Sequence, residues 1–410
     1  MPAARARAGQ RRNAKETTVS VTPALPDIDF AHAEAPNLHD LLDEVRKLGP
    51  VVPVLYHGEI TYLINAHEEL RQAFADEEHF ASSAAYRVHS EPSMGRTLQV
   101  MEGDEHRINR LLVAHPFLPS RVKRYVEGCI TEEATKRLDA LEGKREIEMV
   151  AGFTRPFPFS VITRLLGLPV HDEALFLEWA IKIIDYPWDP EGALRARHGF
   201  QDYVRPLLKQ RREDPSDDVL SLLATSEIEG QRLTDDEIFA FCLLLFPAGS
   251  DTAYKNLGSL LTAILSTPGM RERVFESSQA REALVLEGLR WQPPTALLPR
   301  RCSADTELGG VKLEAGTPVI FGVTAANNDP AVFPEPRRFD PDRPNLNQHL
   351  AFGHGEHFCL GSHLARRELE TAIKLIFERF PEMELIPERP VEFIGCVLRG
   401  PRDVWVRPTP

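Results

Sequence analysis

Ala351–Leu369 reads AFGHGEHFCLGSHLARREL, with Gly353, Gly355 and Gly361 set around the single cysteine Cys359. Leu360, Leu364, Ile373, Ile376, Phe377 and Phe380 recur at helical spacing, which predicts a helix over Gly361–Phe380. Cys359 is therefore expected at a helix N-terminus, behind a Gly-rich loop. Unpaired amides and the positive end of the helix dipole favour a thiolate there. Glycines let a backbone approach a large flat ligand closely. Two uses of such a thiolate fit: a nucleophile, or the one protein ligand of a metal that brings its other ligands with it. A small buried hydrophobe is the plain alternative for any lone cysteine.

The stretch resembles the haem-binding loop of the cytochrome P450 family. That pattern is Phe-Gly-x-Gly-x-His-x-Cys-x-Gly, then a helix opening with Leu-Ala-Arg. Phe352, Gly353, Gly355, His357, Cys359, Gly361, Leu364, Ala365 and Arg366 all match it. The resemblance implies that Cys359 is the axial ligand of haem b (iron protoporphyrin IX), the second of the two uses.

Composition limits the alternatives. The chain has 410 residues, 42% hydrophobic and 27% charged, as in ordinary globular proteins. A net charge of −13 argues against nucleic acid or an anionic membrane as partner. The longest strongly apolar stretch, Ile238–Gly249, is too short to span a bilayer. Five scattered cysteines make no disulfide framework and suit a reducing cytoplasm. No zinc-type spacing occurs. Residues 1–20, basic at first and without an apolar face, are expected to be a disordered tail. Residues 21–410 are expected to form one domain.

Further motifs precede the cysteine loop. Val51–Tyr56 and Ile60–Ile64 are short strands around a His57-Gly58 turn, and Phe80–Gly103, polar and without a sustained period, reads as a mobile lid. His106 and Arg110 lie four apart on a helical stretch, either a solvated basic face or a clamp for a carboxylate. By resemblance to the family, Tyr86–Val100 and Trp188 are candidate pocket residues. Thr234–Glu237 caps the most apolar helix of the chain, expected over Asp235–Ser266 and bent at Pro247. Asp251 and Thr252 place an acid and an alcohol in its buried middle, which is costly without partners. Glu287 and Arg290 are three apart on Glu282–Trp291. The family runs a strand where Thr295–Arg301 stands; a strand pair within Val311–Ala325 and a final pair within Glu392–Val406 follow.

These motifs also match the family, in its order. Ala248, Gly249, Asp251 and Thr252 resemble the Ala-Gly-x-Asp/Glu-Thr run of its oxygen-binding helix, although Ala253 stands where a second threonine is usual. By resemblance His106, Arg110, His357 and Arg300 (or Arg301) bind the haem propionates. Ala248 and Gly249 leave room for oxygen and substrate. Glu287 and Arg290 form a core network completed by Arg337 or Arg338. Leu244, Leu245, Pro247, Ala248, Thr295, Ala296, Leu297, Val397 and Leu398 line the pocket. The implied fold is mainly α with small β-sheets, the haem lying between the central helix and the Cys-loop helix.

The implied protein is a monomeric, cytoplasmic monooxygenase that inserts one atom of O2 into an apolar small molecule such as a terpenoid, steroid or fatty acyl chain. With no GxGxxG after a strand, electrons are expected from a separate ferredoxin or flavodoxin with an NAD(P)H-dependent reductase. Arg110, Arg366 and Arg367 are candidates for its docking patch. The competing readings are a hydrogen-peroxide-driven peroxygenase, which predicts a basic residue where Asp251-Thr252 stand, and a non-enzymatic haem-thiolate sensor.

Overall fold

The apolar run Ile238–Phe246 becomes the axis of the protein. In the computed structural model, which describes residues 28–31, 33–184, 186 and 189–408, helix Asp235–Phe246 passes through a π-helical turn, Pro247–Asp251, into helix Thr252–Ser266. The tail over 1–20 and Trp188 lie outside the described residues. Thr234 and Glu237 close the helix start reciprocally, Thr234 Oγ1 accepting from the Glu237 amide at 3.3 Å and Glu237 Oε2 from the Thr234 amide at 2.8 Å. Apolar residues on every face leave this helix no surface to show to water, so Ile238–Leu243 are buried without a break. Pro247 cannot donate to the preceding turn, and the expected bend takes the form of the wider π turn. Ser250 Oγ and Thr252 Oγ1 donate to the carbonyls of Phe246 and Ala248, at 2.5 and 2.8 Å.

Helices Pro156–Leu166, Ser278–Trp291 and Ser362–Arg379 pack on this axis and share one core cluster, with Phe157, Leu260, Leu284 and Phe377 fully buried in it. The sheets are small. Val51–Tyr56, Glu59–Ile64, Pro318–Phe321 and Leu298–Arg301 form one four-stranded sheet in that order. The strand pair expected within Val311–Ala325 is divided instead. Val311–Leu313 folds back on Thr306–Leu308, Pro318–Phe321 joins the larger sheet, and Val323–Asn327 is a helical turn. Phe393–Ile394 pairs with Gly400–Pro401 near the end of the chain.

The stretch expected as a mobile lid carries helices Ser82–His89 and Glu91–Met94 and a 3-10 turn, Leu98–Val100. Its period was hidden because its inward residues are small and polar. Ser82 and Ser93 are buried, and their hydroxyls donate to the Gln99 and Ser90 carbonyls at 2.7 and 3.2 Å.

Glu287 and Arg290 do form a fully buried pair, at 2.7 Å. The third member is neither Arg337 nor Arg338. Arg337 reaches out to Asp43 and Arg338 to Glu335, both at the surface. Arg343 fills the place, its Nε 3.3 Å from Glu287 Oε1 with its side chain 6% exposed. The chain turns over Pro334–Pro341 so that the Pro334, Glu335 and Arg338 carbonyls face the Arg343 guanidinium.

Candidate active site

The cysteine loop is built from its own backbone. Gly353 and Gly355 have φ of 72° and 76°, and a Cβ at Gly355 would stand 2.6 Å from the Phe74 carbonyl oxygen. The Cys359 amide donates to the Phe352 carbonyl at 2.9 Å, and helix Ser362–Arg379 starts beyond Gly361 as expected. The Cys359 thiol is exposed. Burial of the surrounding loop raises its pKa above the usual thiol value, against the lowering effect of the Gly361 and Ser362 amides and the Arg110 guanidinium. A coordinating metal would deprotonate such a thiol directly. Among the described residues no cluster of three or more His, Cys, Asp or Glu could hold a metal. The thiol therefore suits a metal carrying its own ligands.

The countercharges gather on the same side. His106 and Arg110 project from helix Gly103–Ala114, and Arg110 donates to the Phe358 carbonyl, next to Cys359, at 2.5 Å. His106 is 3% exposed and its ring centroid lies 4.2 Å from that of His357. Burial, then His357 and Arg110, push His106 down to about 4, and its Nε2 has no hydrogen-bond partner. His357 Nε2 sits 3.1 Å from Ser82 Oγ and 3.5 Å from Glu77. On strand Leu298–Arg301, Arg300 turns inward between the rings of Tyr86 and Phe321, while Arg301 turns out to the Gly316 carbonyl. Arg300 is 8% exposed and, among the described residues, makes no ion pair within 4 Å, Glu77 being the carboxylate that feels its charge from farther off. An orphaned imidazole nitrogen and an unpaired buried guanidinium fit a cofactor that supplies carboxylates. Gly361 agrees. Its φ is −83° and an added Cβ would meet no protein atom within 4 Å, so neither backbone nor packing accounts for the glycine, whereas a flat ligand over the thiol would.

On the central helix, Ala248 is exposed and Leu244, Pro247, Gly249, Asp251, Thr252 and Lys255 are half-buried, between enclosed runs on either side. Leu244, Ala248 and Thr252 thus mark a stripe that faces an opening. Two neighbours expected in the site face elsewhere. A Cβ at Gly249 would lie 2.7 Å from Ile162 Cδ1, so this glycine serves helix packing instead of room for oxygen, and Leu245 sits in the core cluster. Ala296 and Leu297, expected in the pocket, are wholly buried with Phe30, Leu38 and Leu42. Thr295 is half-buried and pairs with Leu398. Val397 and Leu398 line a cleft of about 310 Å³ with Arg155, Tyr254 and Lys255. Burial raises the Asp251 carboxyl above its usual range, and Lys255 and Arg155 oppose that shift. Sequence reasoning missed Arg155, Lys255 and Arg343; Lys255, four residues after Asp251 on one helix, was the one with a readable signal.

Comparison with known proteins agrees with this geometry. A sequence model described as Cytochrome P450 matches residues 172–397. Cytochrome P450(MEG) of Priestia megaterium is 31% identical, over 83% of this chain and 87% of its own length. A steroid C26-monooxygenase of Mycobacterium tuberculosis is 29% identical over 90% of this chain and 95% of its own. Among solved structures, P450BioI in complex with an acyl carrier protein ligated to hexadec-9Z-enoic acid superposes with a TM-score of 0.81 at 27% identity, covering 90% of this chain and 98% of that one. The exposed thiol on its glycine loop, the unpaired carboxylate-binding groups and the mainly helical fold thus have one common account: the chain belongs to the cytochrome P450 family, as a monooxygenase of the bacterial type.

Proposed function

We propose that this protein hydroxylates or epoxidises an apolar small molecule of terpenoid, steroid or fatty acyl character, using O2 and electrons from a separate ferredoxin or flavodoxin with its NAD(P)H-dependent reductase. The observation that carries the reading is the exposed Ala248 between half-buried Leu244 and Thr252 in the middle of the central helix, with the Asp251 acid beside Thr252. Haem b, when bound, supplies the oxidant, and thiolate ligation favours O–O cleavage. Cys359 would hold its iron, and His106, Arg110, His357 and Arg300 would receive its carboxylates. Phe352, Gly353 and Gly361 would shape the loop against its face. The Thr252 hydroxyl donates to the Ala248 carbonyl, which leaves its lone pairs as acceptors toward the opening. Asp251, with a raised pKa, can carry a proton to it. Leu244, Pro247 and Ala248 give the substrate an apolar wall. The relatives named for a steroid and for a fatty acyl carrier complex support that substrate class.

The docking patch expected from Arg366 and Arg367 is occupied by ion pairs with Glu282 and Glu370. Exposed apolar side chains at Phe358 and Leu111, adjoining the Arg110–Phe358 bond, are the better docking face for the electron donor. All five cysteines are free, which supports a reducing cytoplasm, and we assign a monomer there. No helix among the described residues is long and apolar enough to cross a membrane.

Thr252→Ala tests the reading. With haem, reductase, ferredoxin and NADH present, product per NADH should fall about tenfold or more while peroxide is released. Unchanged coupling would mean that protons take another route.

A further inference from the structure

The cleft of about 310 Å³ beside Val397 and Leu398 has walls fixed by backbone contacts. The Gly395 amide donates to the Glu34 carbonyl at 2.7 Å. The buried Arg399 guanidinium donates to the Ala35, Pro36 and Gly395 carbonyls at 2.9, 3.1 and 3.2 Å, which ties the hairpin to the segment facing it. Gly395 has a φ of 98°, and a Cβ there would collide with the Leu398 carbonyl, so the hairpin tip turns tightly. A Cβ at Gly400 would stand 2.8 Å from Lys255 Cβ, so the hairpin lies directly on the central helix. A cleft held in this way loses little freedom when a ligand enters it.

Its floor carries donors that lack acceptors. The Tyr254 ring has Lys255 Nζ at 4.3 Å and the Arg155 guanidinium at 5.2 Å from its centroid. Lys255 donates to the Tyr254 hydroxyl, which leaves the hydroxyl's own hydrogen to be given elsewhere. Among the described residues neither cation makes an ion pair within 4 Å, and no group accepts from the Tyr254 hydroxyl. Asp251 feels both charges from beyond that range and does not line the cleft. Arg402 is satisfied by Glu34 at 2.6 Å and Glu392 at 3.1 Å. Arg155, Lys255 and Arg402 thus outnumber Glu34, the acid of the lining, in a chain of net charge −13.

Two neighbouring cations without a counter-ion repel, and the ring quadrupole offsets only part of that. An anion in the cleft would remove the repulsion and take the phenolic hydrogen. The same lining is apolar at Ile394, Val397 and Leu398, all half-buried. Apolar walls with a few placed polar groups are the make-up of a small-molecule site, and the volume is at the small end for one.

We propose that this cleft is a binding site for a small organic carboxylate with an apolar body, apart from the opening at Ala248. The carboxylate lies across Arg155, Lys255 and the Tyr254 hydroxyl, and the body lies on Ile394, Val397 and Leu398. The planar guanidinium suits a carboxylate, and the apolar wall disfavours a strongly hydrated, multiply charged anion.

The test uses benzoate and its neutral isostere benzamide, titrated calorimetrically into the haem-loaded full chain. Benzoate should bind at least about tenfold more tightly than benzamide. The double variant Arg155→Gln/Lys255→Gln should bring benzoate down to the level of benzamide and leave benzamide unchanged. Arg155 is exposed and Lys255 half-buried, so the core is not disturbed. Arg155→Gln alone should weaken benzoate severalfold, and Lys255→Arg should keep it. The spin-state band of the haem should stay still as benzoate binds. Equal benzoate affinity in the parent and the double variant would overturn the site. Binding that always moves the spin-state band would place benzoate over the haem and overturn it too. Inorganic phosphate competing as strongly as benzoate would reduce the cleft to a general anion spot and refute the apolar part.

Discussion

Replacing Arg343 should damage this protein far more than replacing Arg338, although the two lie five residues apart in one polar loop. Arg343 holds Glu287, which is fully buried, and closes the Pro334, Glu335 and Arg338 carbonyls at 2.5, 2.8 and 2.9 Å. Arg343→Gln removes one of two cations from a buried carboxylate and strips partners from those carbonyls. Breaking a buried ion pair costs about 3–5 kcal/mol. Glu287 keeps Arg290 and the Asp340 amide, so the lower end applies. About 3 kcal/mol is on the order of a hundredfold in the folded-to-unfolded ratio, a large share of a typical stability. Arg338→Gln loses a contact to Glu335 with both side chains mostly exposed, which is worth about 0–1 kcal/mol. The assay is the urea midpoint of each variant and the haem each retains after purification. Equal midpoints for the two variants, or a larger loss in Arg338→Gln, would refute the assignment of Arg343.

Three other outcomes can be checked. Cys359→His should abolish the red-shifted ferrous–CO band of a thiolate-ligated haem, and survival of that band would disprove the ligand. His106 is held neutral, with a folded pKa of about 4 against 6.5 unfolded, so the unfolded chain binds more protons between those values. The haem-free protein should therefore lose stability as pH falls from 6.5 to 4. A His106→Gln variant should show a flatter acid limb in chemical denaturation, and an equally steep one would count against the unpaired imidazole. Glu368 is 2% exposed, with Oε1 unpartnered, and burial raises it to about 8. Its contribution is fully present below the unfolded value of about 4.5 and is lost as pH rises through 8. Glu368→Gln should be more resistant than the parent protein to urea at pH 9, and equal resistance would remove the buried acid from the account.

Sequence patterns spoke clearly where neighbours in space are neighbours in the chain. The glycine loop, Cys359 and the helix after it are contiguous, and helical spacing alone brings His106 to Arg110 and Glu287 to Arg290. The four-residue relation of Asp251 to Lys255 was equally local, whereas Arg155, the other cation that acts on Asp251, comes from a distant segment.

Where three-dimensional direction decides, the chain alone was ambiguous. A π turn inserts one residue into the helix and rotates the later residues by about 100°. Within that turn Gly249 meets Ile162 while Ala248 is exposed. Ala296 and Leu297 went to the core under the larger sheet, and Thr295 stayed partly open beside Leu398. Arg343 displaced Arg337 and Arg338 because a buried carboxylate is satisfied by whichever cation the folded loop carries to it. The reaction class was legible along the chain, since thiolate loop, acid–alcohol pair and helical spacing are local chemistry. Folding in three dimensions settled which side chains face the opening and which arginine closes the core. Those depend on helix rotation and on contacts between segments far apart in the sequence.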